Sequence, residues 1–159
     1  MNTEDEIRFL RTYKDFIYFF NILEGNLGYC LRYCLSKKGN QNPEKWLSAS
    51  FDSKIKRVMA LAKQHGVSET FSVWHTEVQA CRHVRNIVSH GYWEWKWWLP
   101  EPIYFHAPEI ENGEGQFTME EFQLKLVYLK NVSEKFHTIR TILERAVVSK
   151  AKPVVVVDE

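Results

Sequence analysis

The eleven residues from Cys81 to Gly91 bring together two arginines, two histidines and an asparagine (Arg82, His83, Arg85, Asn86, His90). These are the side chains of phosphoryl and proton chemistry. A guanidinium is a permanently charged, forked donor for phosphoryl oxygens, and an imidazole gives and takes protons near neutrality. Val78, Cys81, Arg85 and Val88 recur at steps of three and four, so they share one helical face and place Arg85 within an apolar stripe. His83, Asn86 and His90 form a second line on a neighbouring face. Gly91 closes the helix, being able to take the left-handed conformation there. His90 then sits in the last turn, where the helix dipole favours positive charge. Each residue also has a plainer reading. Arg85 can pair with a carboxylate such as Glu77, and His90 can serve as a helix-end charge. Their conjunction, rather than any one of them, points to chemistry.

The segments around this stretch read as helices. Thr3 with Glu6 makes a capping box. Behind it Ile7, Leu10, Phe16, Phe20, Leu23, Leu27 and Leu31 recur with helical period to about Lys37. Gly25 and Gly28 weaken the middle of this first helix and mark where a kink would form. Asn42-Pro43-Glu44 starts a second helix, with an asparagine cap and proline at the first position. It carries Trp46, Phe51, Ile55, Val58 and Ala62 and stops near Gly66. Ser68 and Thr70 offer caps for the third helix, which runs through Trp74 and Val78 into the Arg/His stretch. Thr118 with Glu121 is another capping box, opening a fourth helix that extends towards Lys150. Between the third and fourth helices the period changes. Tyr92–Leu99 and Ile103–Phe105 are β-prone and aromatic, and Asn112-Gly113-Glu114-Gly115 is a turn signal. The predicted fold class is all-α: an antiparallel four-helix bundle with an aromatic-rich β-hairpin or loop insertion over 92–117. The predicted domain spans 1–152, followed by a short β-prone tail over 153–159.

Composition limits the function classes. The chain has 159 residues, a formal net charge of +1, 45% hydrophobic and 26% charged residues. These values suit one soluble domain and argue against a generally basic nucleic-acid binder, although a local basic groove is compatible with them. No apolar run approaches the roughly 20 residues of a membrane span, so a cytoplasmic protein with no membrane partner is expected. Three cysteines without CxxC spacing, and no carboxylate cluster on the third helix, predict no metal and no cofactor. Cys30 and Cys34, one turn apart, read as small core residues.

Arg85-Asn86-Ile87-Val88-Ser89-His90 fits a pattern of arginine, a polar residue, three variable residues and histidine. At the end of the third helix of a four-helix bundle, this pattern resembles the HEPN domain superfamily. The 92–117 insertion departs from the core family pattern. The resemblance implies a metal-independent endoribonuclease acting as a homodimer, with two copies of the motif facing across a composite active site. Arg85, His90 and Asn86 would be the catalytic residues. His90 would take the 2′ proton or protonate the leaving 5′ oxygen, Arg85 would stabilise the phosphorane, and Asn86 would orient the imidazole or touch phosphate. The products would be a 2′,3′-cyclic phosphate and a 5′-hydroxyl. A role as a toxin or antiviral-defence effector is also implied, with an antitoxin or regulatory protein as a further partner. The alternative within the resemblance is a non-catalytic HEPN module that dimerises or binds a partner or nucleotide.

Three further residues are candidates for RNA contact: Arg82 for phosphate, Lys96 for phosphate, and Trp95 for base stacking. Trp93, Trp95, Trp97 and Trp98 also suit a cover for the bundle or a dimer interface, where tryptophan is enriched. Lys54, Lys56, Arg57 and Lys63 read as a solvated basic face of the second helix.

Overall fold

The computed structural model describes residues 3–95, 103–106 and 117–150. The turn signal over 112–115 and the tail over 153–159 lie outside the described residues. The fold is all-α, with five helices and three short strands among the described residues.

Helix α1 runs unbroken over Thr3–Lys37, through Gly25 and Gly28. Its first turn is acidic (Glu4, Asp5, Glu6) and its last carries Lys37, both matched to the helix dipole. Gly39, at φ +77°, turns the chain, and the Asn40 amide reaches back to the Leu35 carbonyl at 3.0 Å. This closure satisfies carbonyls the last turn would otherwise leave open.

The segment read as one second helix is two. Helix α2 covers only Lys45–Ser48, and Ala49 is extended at ψ 155°. Helix α3 then starts afresh over Phe51–Gln64, where the Ser50 hydroxyl accepts the Ser53 amide as a true cap. Gly66, at φ +74°, ends the turn after α3. Helix α4 spans Ser68–His90, and the Gly91 amide completes it by donating to the Ile87 carbonyl. Helix α5 spans Met119–Lys150. Its capping box is reciprocal: Glu121 Oε2 accepts the Thr118 amide at 2.7 Å, and the Thr118 hydroxyl accepts the Glu121 amide at 3.2 Å.

Between α4 and α5, strands β1 (Tyr92–Trp95), β2 (Ile103–His106) and β3 (Phe117–Thr118) form an antiparallel sheet in the order β1-β2-β3. Trp93 pairs with Phe105, and Phe105 with Phe117, so one register row crosses all three strands.

The chain divides into two compact units, Met1–Ile22 with Thr76–Glu134, and Leu23–His75 with Lys135–Glu159. In the first, Phe16, Phe20, Val78, Cys81, Ile87, Phe117, Phe122 and Leu129 are buried. Phe122 meets both Phe16 and Phe117 at 5.6 Å between ring centroids. Each such buried ring contributes about 1.5–3 kcal/mol by leaving water.

In the second unit Trp74 is fully buried and stacks on Phe136 at 4.9 Å, with Phe71 edge-on to it. Cys30 and Cys34 are also fully buried there as free thiols, as their core reading requires. The helices of this unit do not alternate in direction. Glu24 and Gly28 of α1 lie beside Lys54 near the start of α3, and Lys38 lies beside His65 at its end, so α1 and α3 run the same way. The 13-residue link 38–50, containing α2, carries the chain back along α1 rather than turning it tightly.

Gly28 makes that return possible. A Cβ placed there would stand 3.0 Å from the Trp46 carbonyl oxygen and 3.4 Å from the Leu47 Cα. The link therefore lies against bare helix backbone.

Candidate functional site

The Arg/His stretch occupies the last two turns of α4, in the unit containing Thr76–Glu134. Val78, Cys81, Val84, Ile87 and Val88 are buried, which fixes the rotation of the helix. Arg85 is accordingly half-buried, with its guanidinium carbon 5.6 Å above the centre of the buried Phe20 ring. A cation over an aromatic face is held electrostatically while keeping its hydrogen-bond donors unspent. Among the described residues Arg85 forms no ion pair, so the pairing with Glu77 that would make it purely structural is not formed.

His90 and His83 are exposed and Asn86 is half-buried. His83, Asn86 and His90 fall along one line of the helix. Arg85 and His90 are five residues apart and therefore project about 140° from one another around the axis. One chain thus offers an imidazole–carboxamide line and, separately, a guanidinium. It does not gather the three into one hydrogen-bonded cluster.

Arg82 is half-buried and donates from Nη1 to Gln79 Oε1 at 3.3 Å, so part of its fork is already engaged on its own helix. Trp95 lies in β1 opposite Ile103. Lys96 lies outside the described residues.

Beside the motif, α4 and α5 enclose a groove of roughly 450 Å³ lined by Cys81, His83, Val84, Leu124, Lys125 and Tyr128. Burial, reinforced by the negative charge of Glu77, pushes the Cys81 thiol up to about 12. It is therefore protonated at neutral pH and not a nucleophile.

The other unit carries charged residues whose environment the periodicity did not reveal. Lys54, read as solvated, is 2% exposed; its Nζ donates to the Leu47 carbonyl at 3.2 Å and faces Glu24 at 3.9 Å. Arg57 is half-buried, whereas Lys56 and Lys63 are exposed as expected. The signal was present: Lys54, Arg57 and Leu61 are spaced at i, i+3 and i+7, one face of α3. A further cleft of roughly 450 Å³ gathers Lys37, Lys38, His65 and Lys150. There Lys38 Nζ stands 3.2 Å from His65 Nε2, while the buried Nδ1 has no hydrogen-bond partner. Burial, with the charges of Lys38 and Lys150, holds the His65 pKa below its ordinary value.

No group of three or more potential metal ligands occurs among the described residues. No described helix is long and apolar enough to cross a membrane. No family model, curated protein or solved structure matches this chain.

Proposed function

We propose that this chain is a metal-independent endoribonuclease of HEPN type, working as a homodimer. The observation that carries the reading is Arg85, half-buried over Phe20 without an anionic partner among the described residues, five positions before an exposed His90 at a helix end. RNA carries its own nucleophile. A base removes the 2′-hydroxyl proton, the 2′ oxygen bonds to phosphorus, the bond to the 5′ oxygen breaks, and an acid returns a proton to that oxygen. His90 suits the base or acid role, worth roughly a hundredfold to ten-thousandfold. Arg85 suits the charge that builds on the phosphorane oxygens.

A second copy enters the proposal through the resemblance, which implies two motifs facing one another. The angular separation of Arg85 and His90 within one chain is compatible with such a composite site. Apolar area for such pairing is available in the same unit: Leu124 is 68% and Val127 54% exposed on α5, and Ile7 and Leu10 are exposed on α1. Large apolar side chains left in water on adjacent turns mark association surfaces.

The test is RNA cleavage in excess chelator by the wild-type chain, His90→Ala and Arg85→Ala, with product ends identified. The expected result is cutting to 2′,3′-cyclic phosphate that falls at least a hundredfold in both variants. Cleavage surviving both substitutions would refute the assignment. Absence of cleavage across varied RNAs, with dimers present, would favour a non-catalytic module.

A further inference from the structure

Arg57 lies in the unit of Leu23–His75 with Lys135–Glu159, on residues separate from the Arg85–His90 motif. It lines a cleft of roughly 600 Å³ formed by the end of α1, the loop after it, the start of α2 and one face of α3. Lys45, Trp46, Asn40, Gln41 and Asn42 also line this cleft and bear on its chemistry. No carboxylate is among its lining residues. The nearby acid Glu44 is paired with Arg32 at 3.6 Å.

Arg57 Nε is withdrawn from water and has no hydrogen-bond partner. Among the described residues the guanidinium makes no ion pair either. Leaving a charged donor partly desolvated and unpaired is costly, and proteins ordinarily supply the missing anion. The rest of the cleft is prepared for one. Lys45, which also lines the cleft, has its Nζ held 5.5 Å over the Trp46 ring as a second cation. The loop with the three carboxamides is tied down by the Asn40 amide bonded to the Leu35 carbonyl and by the Gly39 amide bonded to the Ser36 carbonyl.

We propose that this cleft binds a phosphate group, with Arg57 as its forked ligand and Lys45 as the second charge. Two cations and three carboxamides offer more donors than a single carboxylate can accept. A tetrahedral phosphate, with up to three free oxygens, uses them, and its planar O–P–O edge matches a guanidinium. The volume lies within the range of sites for small organic ligands, so the phosphate has room to bring the molecule that bears it. Asn40, Gln41, Asn42 and Trp46, which line the same cleft, are the residues available to contact that remainder. A free nucleotide and an RNA backbone present the same phosphate chemistry. The assignment stands whether or not Arg85 and His90 cut RNA.

The experiment is calorimetric titration of the full chain at low salt with inorganic phosphate, adenosine monophosphate and a six-nucleotide single-stranded RNA. It compares wild type with Arg57→Gln, Lys45→Gln and Lys38→Gln, the last altering the separate cleft at His65. The expected result is saturable binding, weakened at least tenfold by Arg57→Gln and severalfold by Lys45→Gln, and unchanged by Lys38→Gln. Preference for the mononucleotide over RNA would identify a nucleotide pocket, and preference for RNA with steep salt dependence would identify a backbone contact. If Arg57→Gln does not fold, Lys45→Gln against Lys38→Gln decides the location. Wild-type protein that binds none of the three at millimolar concentration would overturn the proposal. So would binding that Arg57→Gln and Lys45→Gln leave intact.

Discussion

An arginine lying over a phenyl ring keeps its charge while losing part of its water, and Arg85 is held that way by Phe20. The ring positions the guanidinium without neutralising it, which is what a phosphoryl-binding group needs. His65 shows the opposite case, a titratable group placed where its charged form is disfavoured. Burial and Lys38 lower its pKa. The unfolded chain therefore binds more protons in mild acid, so stability is complete above about pH 6.5 and falls as the pH drops through the unfolded value and then the folded one. Melting temperatures between pH 8 and pH 5 should fall more steeply for wild type than for His65→Gln. Parallel pH profiles would show that His65 is not the group responsible. At this scale the sequence was informative about residue type and face, as with half-buried Arg85 beside buried Cys81 and Val88. It was not informative about Lys54, because a lysine's periodicity does not say whether a carbonyl such as that of Leu47 waits within reach of its ammonium.

Among the elements, α1 holds the sharpest contrast. Its two interior glycines look alike in sequence, and both cost helix propensity, about 1 kcal/mol each relative to alanine. A Cβ at Gly25 would meet nothing within 4 Å, whereas one at Gly28 would press on the Trp46 carbonyl at 3.0 Å. Gly25→Ala should therefore stabilise the protein by up to about 1 kcal/mol. At Gly28→Ala that gain is opposed by an overpacking cost of about 1–3 kcal/mol, because the link against it is backbone and cannot rotate away, so the net effect should be a loss of up to about 2 kcal/mol. Chemical denaturation of the two variants checks both signs, and equal effects would mean that the link does not press on α1. The α2–α3 break belongs to this scale too. Ser50 sits within Ser48-Ala49-Ser50, inside a stretch whose apolar residues keep helical spacing, so periodicity ran across the break. Only the extended Ala49 and the Ser50–Ser53 cap disclose it.

At the level of the whole molecule, the proposed activity requires a second copy, and the exposed apolar residues of α5 provide a way to test that requirement apart from catalysis. Leu124→Lys combined with Val127→Lys should leave the helix content nearly unchanged, since both side chains stand in water in a single copy. Sedimentation should show a shift from dimer to monomer, and RNA cleavage should fall with it, by tenfold or more at micromolar protein. A variant that stays dimeric and active would place the contact elsewhere. A monomeric variant that still cuts would remove the need for a composite site.

Much of this protein is determined by its sequence alone. Caps at Thr118 and Glu121, glycine stops at Gly39 and Gly66, and apolar residues at helical spacing are local signals. They act over a few residues, and so α1, α4 and α5 could be read with their ends, as could the burial of the α4 stripe that orients Arg85. The directions in which the helices run, the return of the chain along Gly28, and the gathering of Arg57 with Lys45 and Asn40 belong to tertiary structure. Those depend on which faces meet, and a periodic pattern tells each helix that it has a buried face without saying against what.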